Sequence, residues 1–224
     1  MQTTYALFDF DGTLIRGDSI ILLCQYAYRH RLISLRELLA ILGAGIRYGL
    51  RLASAVQAKE RALRFLIGKT AAEMDAFVAD FYREALLPRL RPEAEAAIRA
   101  HQAQGHTVLL VSASAAFYLE PLRARLGLAD IIATRIAVEG DGVFTGRVCG
   151  DNCRGVQKAL RLAEYLAAKG ARLAYDTSTA YGDSTGDLAM LRLCAHKVAV
   201  NPKRKLWRAL RHEPGATRVC WREP

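Results

Sequence analysis

Phe8-Asp9-Phe10-Asp11-Gly12-Thr13 follows directly on Tyr5-Ala6-Leu7. The run from Tyr5 to Phe8 is apolar and of strand length, and it ends on two carboxylates placed two residues apart. Gly12 then lets the chain turn away through Leu14-Ile15 and the turn-like Arg16-Gly17-Asp18-Ser19. A buried strand that carries carboxylates to its C-terminal end is how open α/β sheets build their sites. Taken alone the stretch also reads as an ordinary strand followed by an Asp/Gly turn, so the residues downstream have to separate the two.

From Asp18 to about Leu87 the pattern is helical. Leu32, Leu35, Leu38, Leu39, Leu42 and Ile46 fall on one helical face. Gly43, Gly45 and Gly49 predict a break between helices. Val56, Leu63, Leu66 and Ile67 form a second face, and Met74, Phe77, Val78, Phe81 and Tyr82 a third. These apolar faces are expected to pack on one another. Pro88 and Pro92 mark the exit, and a helix from Pro92 is expected to run to Gln104 and stop at Gly105.

His106 to Val111 is a continuous apolar run that fits a buried parallel strand, ending at Ser112-Ala113-Ser114. Helix follows to Leu126. Ile131 to Val138 and Val143 to Val148 flank Glu139-Gly140-Asp141-Gly142 and predict a hairpin. A helix from about Asn152 to Lys169, capped by Asp151 or Asn152, carries Lys158. Thr177 to Gly182 reads as a strand ending at Asp183, a short helix spans Gly186 to Leu193, and Lys197 to Val200 is a further strand. Trp207 to Arg211 is expected to be helix and Thr217 to Trp221 an edge strand. Strands alternating with helices give an α/β fold with a doubly wound parallel sheet. The expected core is residues 1–15 with 88–224, and residues 16–87 form an all-helical cap inserted after the first strand.

Strand ends on one edge of such a sheet bring together Asp9, Asp11, Ser112, Asp183 and Asp187, with Lys158 on a helix beside them. Asp9 and Asp183 would repel unless a cation lay between them. Mg²⁺ suits them, since it takes hard oxygen ligands from one or two carboxylates together with substrate phosphate. Asp9 is then a nucleophile toward phosphorus, and Asp11 an acid for the leaving oxygen and a base for water. Ser112 is placed to hydrogen-bond a phosphoryl oxygen and Lys158 to neutralise charge. Singly, Ser112 reads as a strand-end cap, Lys158 as a solvated lysine and Asp183 to Asp187 as a capped turn. Together and in this order they do not.

The chain resembles the haloacid dehalogenase-like superfamily, in its phosphoserine phosphatase-like branch with a helical cap after the first motif. Asp9-Phe10-Asp11-Gly12-Thr13 resembles that family's first motif, Ser112 the second, Lys158 the third, and Gly182-Asp183-Ser184 with Asp187 the fourth. The resemblance implies a Mg²⁺-dependent phosphatase working through an aspartyl-phosphate. It implies metal ligation by Asp9, the Asp11 main-chain carbonyl and Asp183, with Asp187 in support. Substrate contacts would come from Asp18, Ser112, Ala113 and Lys158. Ser112-Ala113-Ser114 and Gly186 depart from the phosphoserine enzymes, which carry Ser-Gly-Gly and an Asn there. Their cap glutamate is matched by Asp18.

The chain has 224 residues and a net charge of +10. Its 52% hydrophobic content allows one packed domain, or a core with an insertion. No signal peptide or spanning stretch is seen, so a soluble cytoplasmic protein is expected. Five cysteines at irregular spacing suggest reduced thiols rather than a disulfide framework. Cys149 and Cys153 lack the partners of a zinc site.

The most direct partner is a small phosphorylated substrate. Arg61 and Arg64 are candidates to meet an anionic group on it. The arginine-rich apolar cap also permits docking on an anionic membrane, which suits a peripheral phosphatidylglycerophosphate-type lipid phosphatase. A non-catalytic binder of anions or nucleic acid is the other reading of the basic charge. The absence of any zinc-finger or RNA-recognition signature speaks against nucleic acid.

Overall fold

A computed structural model describes residues 2–222. Residues 1, 223 and 224, the outer ends of the expected core, lie outside them. The elements in chain order are β1 (Gln2–Thr3), β2 (Tyr5–Phe8), α1 (Ser19–Arg29), α2 (Leu35–Gly49), α3 (Ala55–Ala62), α4 (Ala71–Phe81), α5 (Pro92–Ala103), β3 (Thr107–Ala115), α6 (Glu120–Leu126), β4 (Asp130–Thr134), β5 (Ile136–Glu139), β6 (Val143–Val148), α7 (Val156–Ala168), β7 (Arg172–Leu173), β8 (Thr179–Gly182), α8 (Leu188–Leu191), β9 (His196–Val200), α9 (Arg204–Leu210) and β10 (Ala216–Val219).

Six strands form one parallel sheet in the order β10-β9-β8-β2-β3-β4. The fold is α/β. Alternate residues of β2 face opposite sides, and both sides are covered. Ala6 and Phe8 join a core with the helices that follow β2, whereas Tyr5 and Leu7 pack with Leu162, Met190, Leu191 and Leu206. The chain leaves β2 toward β3 on one side and returns to it as β8 on the other. That reversal of direction is where open α/β sheets bind ligands.

Between β2 and α5 the long elements are all helical. Three helices there start on reciprocal caps: Ser34 with Glu37, Ser54 with Gln57, and Thr70 with Glu73. The chain enters and leaves this segment side by side. Ile15 and Leu90 form an antiparallel bridge, the Arg16 amide donates to the Arg89 carbonyl at 3.0 Å, and the Arg91 amide to the Leu14 carbonyl at 2.9 Å.

Four expectations are corrected. The run Ile131–Val138 is not one strand. It divides at Arg135 into β4, on the edge of the central sheet, and β5, which pairs with β6. The Arg135 carbonyl already accepts from Cys149 of the hairpin. The helix bearing Lys158 starts at Val156 behind Gly155, not on an Asp151 or Asn152 cap. Helix α2 runs through Gly43 and Gly45, and the break falls after Gly49. Finally, the outer face of α2 is not covered: Leu35, Leu39, Leu42 and Ile46 are all more than half exposed. Among the described residues no helix is long and apolar enough to cross a membrane.

Candidate active site

Asp9 is the first residue beyond β2, and its amide is pinned to the Tyr181 carbonyl of β8 at 3.0 Å. Asp183 is the first residue beyond β8. Neighbouring parallel strands therefore bring the two carboxylates side by side. Between them the turn is tight: the amides of Leu14 and Ile15 both donate to the Phe10 carbonyl, and Gly12 sits at φ +81°. An L side chain disfavours that conformation.

Asp187 reaches the same point from a short turn of helix. Ser184 caps that turn, and its amide and hydroxyl both donate to Asp187 Oδ2, at 3.0 and 3.1 Å. One carboxylate oxygen from each of Asp9, Asp183 and Asp187 lies within 4.8 Å of the others, and all three residues are buried.

Lys158, also buried, spans two of them. Its Nζ donates to Asp9 Oδ1 at 2.6 Å and to Asp187 Oδ1 at 2.7 Å. Burial alone would lower the Lys158 ammonium, but Asp187 and Asp9 outweigh it and hold it firmly charged. Burial and the nearby Asp187 charge push Asp9 up, against the pull of Lys158. Burial likewise raises Asp183, which Lys203 partly offsets through an ion pair of 3.1 Å. The Lys203 side chain is 72% exposed, so this pair is well screened. Three buried carboxylates thus converge on one buried ammonium, which contacts two of them. This excess of hard, anionic oxygen donors fits a divalent cation such as Mg²⁺.

Asp11 points elsewhere. Its Oδ1 accepts from the Ser19 amide at 2.7 Å and its Oδ2 from the Ser114 hydroxyl. The Ser19 hydroxyl in turn meets Ser114 Oγ and the buried Tyr118 hydroxyl, each at 2.8 Å. Burial and the Asp18 charge raise Asp11 to about 6, against the stabilising bond from Ser114. The Asp11 side chain is outside the carboxylate trio, so only its main chain is left to serve a metal.

A cavity of about 460 Å³ opens over these groups. Asp9, Asp11, Asp183, Lys158 and Ala113 all contribute to its wall. Ser112 does not; it is buried in β3, where its Oγ accepts the Ser114 amide at 3.0 Å. Asp18 lines the cavity but is exposed and caps its own helix, accepting from the Ile20 amide at 3.0 Å. Arg61 and Arg64 face a different depression, beside Ile33 and Phe65.

The cation that does reach in from the helical segment is Lys59. Its Nζ meets the Ala113 carbonyl, Asn152 Oδ1 and, at 3.4 Å, Thr134 Oγ1. Burial lowers its pKa to about 8. Lys59, Ser114, Ser19 and Tyr118 were not distinguishable in the sequence from other basic or hydroxyl residues. For Lys203 a signal existed in its position just after the strand stop Asn201-Pro202.

A family profile described as haloacid dehalogenase-like hydrolase matches residues 6–192. The chain belongs to the haloacid dehalogenase-like hydrolases. It is a hydrolase of the phosphoserine phosphatase-like branch. It is 30% identical over 217 residues to a phosphoserine phosphatase of Mycobacterium tuberculosis, covering 95% of this chain and 69% of that one. A histidinol-phosphatase of Neisseria meningitidis is 30% identical over 206 residues, covering 90% and 91%. A crystal structure of a Bordetella pertussis protein of unknown function superposes with a TM-score of 0.89 at 28% identity, covering 98% and 99%. A phosphoserine phosphatase solved as an analogue of its phospho-aspartyl intermediate shares the fold, with a TM-score of 0.65 at 20% identity over 98% and 93%.

Proposed function

We propose that this hydrolase is a Mg²⁺-dependent phosphatase that cleaves a phosphate monoester through an aspartyl-phosphate on Asp9. The observation that carries this reading is Lys158 held between Asp9 and Asp187, beside Asp183, on the floor of an open cavity. Asp9, Asp183 and the Asp11 carbonyl would hold Mg²⁺, with Asp187 supporting. When bound, the ion would offset the charge of the carboxylates and of the incoming phosphoryl oxygens.

The chain's own residues account for the other steps. Asp9 is fixed by Lys158 at Oδ1, with Thr13 Oγ1 donating to Oδ2 at 3.3 Å. It is thereby oriented as a nucleophile toward phosphorus. Asp11 holds its proton to a higher pH than an ordinary carboxyl. It gives that proton to the leaving oxygen, then takes one from the water that releases phosphate. The Ala113 amide, on the cavity wall, is proposed to receive a phosphoryl oxygen and Lys158 to neutralise it, while Ser112, buried behind that wall, holds the Ser114 amide.

The relatives named for phosphoserine and histidinol phosphate support a small phosphorylated metabolite as the substrate class. We assign residues 16–87 the part of a cap that shields the site from bulk water. Five cysteines, all unpaired in the structure, support a reducing, cytoplasmic setting. The test is hydrolysis of an aryl phosphate by the purified protein. Turnover should require Mg²⁺ and vanish in Asp9→Asn. Inactivity toward aryl phosphates and a broad panel of phosphate esters would remove the proposal.

A further inference from the structure

The wall of the cavity opposite the carboxylates is aliphatic. Ile20, Ile21, Cys24, Leu38, Ile41 and Leu42 supply it, from α1 and α2. The charged groups on that side are already engaged. Asp18 caps α1, and Lys59 is held by a carbonyl, an amide oxygen and a hydroxyl. A leaving group that enters here therefore meets mainly methyl and methylene groups, with Gln25 and Tyr48 the polar side chains that α1 and α2 add to the same lining.

This wall does not end at the mouth of the cavity. Ile21 and Leu42 line it and are also 55% and 54% exposed. They continue onto Leu35, Leu39, Ile46 and Leu50 on the outer surface of α2 and just past it. Arg36 and Arg47 are exposed on the same helix, and Arg31 and Arg51 are exposed in the turns before and after it. The acidic residue in the same stretch is Glu37, which is bound into the Ser34 cap. An apolar strip with arginines on its helix and in the adjoining turns matches an anionic lipid surface, where basic side chains meet headgroups and aliphatic ones enter the acyl boundary.

We propose that the substrate is a phosphate monoester whose leaving alcohol carries an acyl chain, taken from an anionic lipid surface against α2. This rests on the phosphatase reading above and puts an acylated alcohol in place of the small metabolite as the leaving group. The bond from phosphorus to the alcohol oxygen breaks as Asp9 takes the phosphoryl group. The alcohol leaves with one proton, and water then displaces inorganic phosphate from Asp9. The chain lies along the aliphatic wall, and Leu42 and Ile21 join cavity to surface.

The purified protein is assayed with Mg²⁺ on four substrates: long-chain lysophosphatidate in phosphatidylglycerol vesicles, glycerol 3-phosphate, phosphoserine and 4-nitrophenyl phosphate. Expected is a kcat/KM for the lysophosphatidate at least about tenfold above those for glycerol 3-phosphate and phosphoserine, since apolar pockets discriminate at about that level per methylene. The protein should also sediment with the vesicles. Leu39→Glu with Ile46→Glu should abolish sedimentation and lower the ratio of lysophosphatidate to aryl phosphate turnover about tenfold. Both residues are on the surface, so an unchanged circular dichroism spectrum checks the fold. Equal or better turnover of glycerol 3-phosphate or phosphoserine overturns the inference and leaves the phosphatase reading standing. So does a protein that ignores the vesicles, or one that forms a dimer which the double variant dissolves. Failure on 4-nitrophenyl phosphate as well as the other three would instead sink the phosphatase reading itself.

Discussion

Gly12 and Asp183 are in such close contact that one methyl group would not fit between them. A Cβ on Gly12 would lie 2.6 Å from Asp183 Oδ2, and Gly12 is also at φ +81°. Gly12→Ala is expected to cost roughly 1–2 kcal/mol from the backbone alone. It should also displace Asp183. The variant's thermal midpoint should fall, and its response to added Mg²⁺ should weaken. A variant that keeps the wild-type Mg²⁺ response would show that Asp183 can move freely.

Lys158→Met should be among the most destabilising single changes in the chain. It leaves Asp9 and Asp187 buried without their shared partner, a situation that costs about 3–5 kcal/mol. Urea unfolding measures it. Adding Asp187→Asn to Lys158→Met should recover part of the loss, because the two residues are in direct contact. Strictly additive effects would contradict the coupling.

Asp11 gives a pH signature. Its carboxyl is raised from 3.8 to about 6 by burial and by Asp18, so the folded protein binds this proton more tightly than the unfolded chain. The contribution to stability is therefore full below pH 3.8, declines through the window up to about 6, and is lost above it. Asp11→Asn, which stays neutral throughout, should be more stable than wild type at about pH 7 by on the order of 1 kcal/mol in metal-free buffer. The advantage should disappear near about pH 4. Unfolding curves at the two pH values suffice, and an advantage at the acidic end would have the wrong sign.

Mg²⁺ itself should stabilise the fold. At about a hundred times its dissociation constant a bound ion adds about 2.7 kcal/mol, and this should be visible as a rise in the thermal midpoint. Asp183→Asn should respond far less. A wild-type midpoint indifferent to Mg²⁺ would mean that the trio of carboxylates does not hold the ion.

How much could be read in advance differed from residue to residue. Asp9 and Asp183 were legible because a buried apolar strand that stops on a carboxylate is a local pattern. Parallel pairing of β2 with β8 then does the rest. Lys158 was legible only through its place in the order of motifs. Lys59 and the Ser19–Ser114–Tyr118 hydroxyls were not, since their meaning lies in convergence from distant positions. The division of the run 131–138 at Arg135 left no mark either, because both halves have the same strand-like composition. The heptad-like leucines of α2 correctly announced a helix. Periodicity says that a face is apolar; it does not say what covers it.

The paired entry and exit at Ile15 and Leu90 have a longer reach. Asp9, Asp11, Asp183, Asp187 and Lys158 lie outside the stretch that these two residues enclose, whereas Asp18, the aliphatic wall and Lys59 lie within it. The carboxylates with Lys158 and the wall that faces them thus come from different stretches of the chain, which meet at this pairing and again where the Gly68 amide donates to the Phe144 carbonyl and the Phe144 amide to the Lys69 carbonyl. Replacing the wall residues while keeping Ser19, whose amide holds Asp11, is expected to change which ester is accepted and to leave the carboxylates and Lys158 in place.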